Sequence, residues 1–379
     1  MRWKTGSASS GPQLSRACVV GVLACELVAA PGARADWRVY LLSTGSSQGW
    51  TRATTIYAGR TGGVIGTNAA LWEHPQAPPA SLAPSAPWDT SETLASWGNT
   101  QVGWASKRDA QQQVVTEAAA WSGSAESFRS LQPASNAYRG SMARSIREQQ
   151  VAGFATYVQT GLPHAALWTG PTFSTFVDLH NNTKAQYSEC FATDGQSQGG
   201  WAVFRRTGQI HAALWHGTSA SMTDVNPSWS WDSWILGMAP GAQVGRAAVG
   251  STGSQPVLWH GSADSAVIMT PSGFGGGELT ATDGLRHVGL ASKNGAGYAG
   301  IWMSDDPNSF VNLAALVGNN VVGSSANAVY SDANNIYVAG QIRLGNGPLQ
   351  GVVWVQELPA PGAAALMLMG VVVMGRRKR

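Results

Sequence analysis

Short apolar runs, separated by polar and glycine-rich stretches, recur along this chain, and seven of them end in tryptophan. The runs are AALW, AAAW, AALW, AALW, PVLW, AGIW and GVVW, ending at Trp72, Trp121, Trp168, Trp215, Trp259, Trp302 and Trp354. Successive tryptophans stand 49, 47, 47, 44, 43 and 52 residues apart. A period of this length with one strand-like core segment per unit is the signature of a repeat architecture, most simply a propeller. Runs of this length suit strands of about five residues joined by hairpins. No stretch sustains an amphipathic helical period.

A glycine step precedes each tryptophan by 13–18 residues, at Gly59, Gly103, Gly153, Gly200, Gly245, Gly289 and Gly340. In several units it stands in a Gln-x-Gly frame, as at Gln101-Val102-Gly103, Gln198-Gly199-Gly200 and Gln243-Val244-Gly245. After the tryptophan, a Trp-x-Gly-Ser-type turn leads into another apolar run, from Trp121 to Leu131 or Trp259 to Met269. Each unit therefore offers four short antiparallel strands: one before the glycine, one on it, the tryptophan strand and one after. One such sheet cannot bury both of its faces. Radial stacking buries sheets against each other. In His211-Ala212-Ala213-Leu214-Trp215 the odd positions should face one neighbouring sheet and the even positions the other. The glycine is expected where backbone crowds backbone near the axis.

The expected fold is all-β, a seven-bladed β-propeller over residues 36–358. Its last unit stops at Val352-Val353-Trp354-Val355 and lacks a strand after the tryptophan. The β-rich run Trp37-Arg38-Val39-Tyr40-Leu41-Leu42 lies before the first unit, and is expected to supply that strand and close the ring. The alternative, an open solenoid, leaves exposed edges at both ends.

These units resemble the extracellular HAF repeat of bacterial secreted proteins. His164-Ala165-Ala166-Leu167-Trp168 and His211-Ala212-Ala213-Leu214-Trp215 carry the resemblance, with Ala166 and Ala213 where that repeat has Phe. It covers roughly residues 45–356 and implies an extracellular propeller with no established activity.

Both ends of the chain change the picture. Residues 1–35 read as a signal peptide: Arg2, Lys4 and Arg16 precede an apolar stretch from Ala17 to Ala30, and Ala33-Arg34-Ala35 supplies the small-x-small site for signal peptidase. An apolar helix of the folded domain, or a lipoprotein signal at Cys25, are the other readings. Residues 359–379 begin Pro359-Ala360-Pro361-Gly362, continue as an uncharged run to Gly375 and end Arg376-Arg377-Lys378-Arg379. This tail resembles the PEP-CTERM sorting signal of Gram-negative bacteria, with Ala360 where that signal carries Glu. The resemblance implies an exosortase-type processing enzyme as partner, transient anchoring in the inner membrane, and a final place in the cell envelope or outside it. A plain C-terminal membrane anchor is the other reading.

Charge argues against nucleic-acid binding. The chain carries 24 Lys and Arg against 21 Asp and Glu, a net +3. Four of the bases lie before residue 36 and four after residue 358, whereas Glu26 is the one acid outside the middle. The middle is therefore near −4, and no nucleic-acid partner is implied. Cys18 and Cys25 would leave with the leader, so Cys190 stands alone, a small hydrophobe rather than a nucleophile.

Candidate chemistry is sparse. His74, His164, His180, His211, His216, His260 and His287 show no zinc spacing, although His164 and His211, and His216 and His260, recur at equal places in their units. Such residues could converge on a propeller axis as a metal ring; strand-end histidines repeated by descent are the blander reading. Asp194-Gly195 and Asp283-Gly284 read as turns. No catalytic motif, metal site or cofactor fingerprint is found. One aromatic cluster stands apart, Trp229-Ser230-Trp231-Asp232-Ser233-Trp234, with Trp229 and Trp231 expected on one strand face. Packing between blades and a sugar-stacking platform are both open for it. The expected function is a non-enzymatic, surface- or matrix-associated binding module. The alternatives are a glycan-binding module using Trp229 and Trp231, with extracellular polysaccharide as partner, or a polysaccharide-active enzyme with axial catalytic residues.

Overall fold

A computed structural model describes residues 36–45, 49–250 and 253–359. The leader with its site at Ala33 and Ala35, and the tail from Ala360 with Pro361, Gly362, Arg376, Arg377, Lys378 and Arg379, lie outside the described residues; Pro359 is the last one described and is exposed. Among the described residues no helix is long and apolar enough to cross a membrane.

Seven four-stranded antiparallel sheets form a seven-bladed propeller. In blade four the strands are Ala185–Thr193, Gln198–Phe204, Ile210–Trp215 and Thr223–Asp224, paired in chain order. The first strand of each blade is innermost: Thr51–Tyr57, Trp88–Trp97, Tyr138–Arg147, Ala185–Thr193, Asp232–Ala239, Gly276–Thr282 and Val321–Ser331. These seven touch in succession round the ring. The N-terminal strand Trp37–Leu41 closes it, pairing antiparallel with Leu349–Glu357 as the outermost strand of blade seven.

All seven repeat tryptophans are at most 1% exposed. The alternation in the tryptophan strand falls as its sequence predicts. Ala213 and Trp215 pack with Leu167 and Leu179 toward blade three, while Ala212 and Leu214 pack with Ile235 and Val257 toward blade five. Five indoles also reach the linker that enters their own blade: Trp72 donates to the Ser43 carbonyl, Trp168 to Leu131, Trp259 to Val225, Trp302 to Met269 and Trp354 to Leu313. Each core residue thus staples one blade to the chain leaving the previous one. Cys190 is fully buried in the core between blades three and four, where burial pushes its thiol up to about 12 and keeps it neutral.

The glycine step marks a close approach. Every innermost strand carries a one-residue bulge, at Thr54, Leu94, Arg144, Phe191, Leu236, Thr280 and Asn327. The carbonyl two residues before each bulge lies against a glycine of the second strand, where an added Cβ would sit only 1.9–2.2 Å from it. In six blades this glycine is the expected one. In blade one it is Gly63; Gly59 instead occupies the preceding hairpin turn at φ +80. The correction arises because blade one joins its second and third strands by a tight turn at Gly66, so the marker lies closer to Trp72 than in other units.

A second repeated device was not read from the sequence. The Ser91 hydroxyl accepts the Ala69 amide of the preceding blade at 3.1 Å. Ser141, Ser188, Ser233 and Ser324 do the same for Ala118, Ala165, Ala212 and Ala299, and Thr51 does so for Gly351. These clips pair a tryptophan-strand N–H that would otherwise be buried and unpaired. At the seam between blades five and six the clip position is Gly277, placed opposite Ala291 as Ser233 is opposite Ala247.

Candidate functional site

The innermost strands enclose an axial cavity of about 480 Å³. All seven bulge residues line it, so the bulges that demand the glycines also turn Thr54, Leu94, Arg144, Phe191, Leu236, Thr280 and Asn327 toward the axis. Basic and acidic side chains pair across alternate seams, and of these Arg52, Glu92 and Arg144 line the axial cavity. Arg52 of blade one bonds Glu92 of blade two, Arg144 of blade three faces Glu189 of blade four at 3.8 Å, and Arg246 of blade five meets Glu278 of blade six at 3.2 Å. Aromatic rings support the guanidinium groups: Arg246 lies 4.5 Å over Trp234, and Arg144 lies 4.5 Å over Phe191 and 5.6 Å over Phe154. Burial lowers the Arg144 pKa and raises that of Glu189, with the partner's charge opposing the shift in each case.

A second feature stands on the linker between blades four and five. Trp229 and Trp231 are 39% and 52% exposed. They do not share a strand face as expected, because the strand begins only at Asp232 and both indoles sit in the turn before it. Trp234 is inside that strand and half-buried, so the cluster divides into two surface rings and one beneath Arg246. The turn is held firmly. The Asn226 amide donates to the Pro227 and Ser230 carbonyls, its oxygen accepts from Ser233, and the Ser230 hydroxyl reaches the Asp232 and Ala248 carbonyls. Beside it lies a polar cavity of about 330 Å³ lined in part by Arg206, Gln209, His211, Asn226 and Ser228. His211 holds Asp224 through Nδ1 at 2.8 Å, and its buried Nε2 has no partner.

Among the described residues no histidine lines the axial cavity, although His164 stacks on His180 and both His260 and His287 reach Asp305. His164 and His211 stand on tryptophan strands, third from the axis, and each is tied to an acid of its own blade, Asp178 at 2.9 Å and Asp224 at 2.8 Å. Equal places on different blades converge only from the innermost strand, which is why no ring of histidines forms. His216 and His260 instead bond the inner hairpin of their own blades, at Ser197 and the Gly241 carbonyl. Asp194 and Asp283 cap their hairpin turns through Oδ1.

One titrating cluster carries a measurable consequence. Tyr138 and His164 both donate to Asp178 Oδ2, and His180 stacks on His164 with ring centroids 4.0 Å apart. Burial, and after it the electrostatic effect of His164, push His180 down to about 4 from its ordinary 6.5. A histidine depressed on folding binds more protons unfolded, so its contribution is complete above about pH 6.5 and is lost as pH falls toward 4. We expect the melting temperature to fall across that window, and His180→Gln to flatten the slope. A wild-type slope retained in the variant would assign the loss to other groups.

No protein-family model matches the chain, and no curated protein does. Solved structures do. A puromycin hydrolase superposes with a TM-score of 0.52 at 16% identity, covering 82% of this chain and 52% of the hydrolase. This chain therefore spans about half of that enzyme. The β-propeller domain of the Trilobed protease from Pyrococcus furiosus matches with a TM-score of 0.51 at 7% identity, covering 82% of this chain and 98% of that domain. At these identities the likeness is one of fold. That domain is described as having an open velcro topology, whereas here the N-terminal strand closes the last blade.

Proposed function

We propose that this protein is an exported, non-enzymatic propeller displayed at the cell surface or in the extracellular matrix, and that it binds polysaccharide through the face around Trp229 and Trp231. The observation that carries this reading is the pair of exposed indoles on a pinned turn beside a polar cavity. Trp50 is as exposed as Trp229, so exposure alone does not mark contact; two exposed indoles within three residues offer more apolar area than a lone ring. A flat indole stacks on the apolar face of a sugar ring, while Arg206, Gln209 and Ser228 offer hydrogen bonds to hydroxyls. Because Asn226 and Ser230 already fix the turn, binding would cost little further ordering. An enzyme reading draws less support. Glu92 is the one acid lining the axial cavity, and Arg52 already holds it, whereas hydrolysis of glycosides ordinarily needs two carboxylates.

A glycan array with the folded domain, followed by polysaccharide pull-down, tests the reading. The Trp229→Ala/Trp231→Ala variant is expected to bind at least about tenfold more weakly with an unchanged melting temperature. Equal binding by the variant would end this assignment. The export part rests on the two sequence signals, and removal of residues 359–379 should change where the protein accumulates; unchanged localisation would count against sorting by the tail.

A further inference from the structure

Arg144 is held in an unusual state for a half-buried guanidinium. Its planar fork has five donors. Its Nε makes no hydrogen bond, and its nearest acid, Glu189, stays at 3.8 Å, beyond hydrogen-bonding distance. Two phenyl rings, Phe191 and Phe154, hold it over the axial cavity. Among the described residues Arg144 finds no hydrogen-bond partner for its terminal nitrogens either, and Arg52 and Gln341 line the same cavity. A guanidinium without a hydrogen-bond partner, set among apolar side chains in a concave space, is the kind of convergent polar group that ligand sites use. The bulge at Arg144 is also the step that turns this side chain inward, so the register of the blade itself sets up the arrangement.

We propose that the axial cavity is a binding site for a hydroxylated organic carboxylate, with Arg144 as the main anion contact. The carboxylate accepts from the terminal nitrogens of Arg144, and Arg52, which lines the same cavity, adds positive charge. Arginine suits this task because its fork matches the two oxygens of a carboxylate. Of the acids nearby, Glu92 is committed to Arg52 and leaves Arg144 free, whereas Glu189 competes for Arg144 from outside the cavity lining. The apolar side is supplied by Leu94, Phe191, Leu236 and Met238, which can pack against a carbon ring or chain. A volume of about 480 Å³ suits a single acidic sugar unit rather than a polymer. This site is separate from the surface turn at Trp229 and Trp231 and does not depend on it.

Titration calorimetry with D-glucuronate, using D-glucose at matched ionic strength as the uncharged counterpart, tests the proposal. It is run on the full chain and again in the Trp229→Ala/Trp231→Ala background, so that binding at the surface turn is told apart from binding at the axis. Glucuronate should bind both proteins equally, and glucose should bind neither at the axis. Arg144→Gln should weaken glucuronate binding by about tenfold or more. Arg144→Lys keeps the charge, loses the fork, and should weaken it as well. Glu189→Gln removes the competing acid and should tighten it. Unchanged binding by folded Arg144→Lys, looser binding by Glu189→Gln, or loss of glucuronate binding in the tryptophan double variant would each overturn the axial site.

Discussion

Gly245→Ala is expected to lower stability by about 3 kcal/mol or more, and to leave the chain unfolded where the margin is smaller than that. Gly323→Ala, also in a strand, is expected to change it by less than about 0.5 kcal/mol. Neither glycine has a positive φ, so backbone freedom does not separate them. Space does. A Cβ on Gly245 would lie 1.9 Å from the Trp234 carbonyl oxygen, and that oxygen belongs to the backbone of the bulged innermost strand. It can move only if the bulge is undone, which would withdraw Leu236 from the axis and shift the register on which Trp259 packs. A Cβ on Gly323 meets nothing within 4 Å. Urea denaturation followed by circular dichroism distinguishes the two. Similar midpoints for both variants would show that the bulge yields readily and that the repeated glycine has another cause.

This contrast also explains how far the sequence could be read. Period, strand order and ring closure were legible because they depend on burial, and burial writes an apolar tryptophan strand once per blade. The glycine was legible for the same reason that it is intolerant, since only one residue type fits beneath the bulged carbonyl. Blade one is the exception, with Gly63 beneath the bulged carbonyl and Gly59 in the turn, because hairpin length varies while bulge register does not. The seam clips were less visible. A Ser or Thr stands twelve residues before the bulge glycine in blades one to five, at Thr51, Ser91, Ser141, Ser188 and Ser233. Yet serine is common in this chain, and nothing local marks those five as buried.

The candidate sites were legible only in part. Trp229 and Trp231 could be singled out as a cluster, but their exposure follows from the turn that Asn226 holds, a contact no spacing rule supplies. The ion pairs across alternate seams were invisible for a different reason. Their partners are 40 residues apart at Arg52 and Glu92 and 32 apart at Arg246 and Glu278, close to one blade but not to a fixed number. A search for opposite charges two residues before successive bulges would have found the first of these pairs. It would have missed Arg144, which sits on the bulge itself.

Removing the N-terminal strand should have the largest effect on the fold. A chain beginning at residue 46 is expected to lose its cooperative melt, or to melt far below one beginning at residue 36, and to aggregate as its concentration rises. Five residue pairs join Trp37–Leu41 to blade seven. Trp37 and Val39 pack on the core shared with blade six, and Leu42, 5% exposed, packs with Ile56, Trp72 and Val353 where blade seven meets blade one. Loss of the segment also strips Trp72 of its acceptor at Ser43 and leaves Leu349–Glu357 as an open edge. Leu42→Ala alone should cost about 2–5 kcal/mol. With no disulfide among the described residues, since Cys190 is free and buried, this strand carries the fastening that a covalent bond would otherwise supply. Thermal melts and light scattering of the two chains decide the matter, and a synthetic peptide of residues 36–45 added to the shorter chain should raise its melting temperature. Identical melts for both chains would mean that the ring holds through its seven seams alone, with the clips at Thr51 and Ser324 sufficient to bring blade seven home.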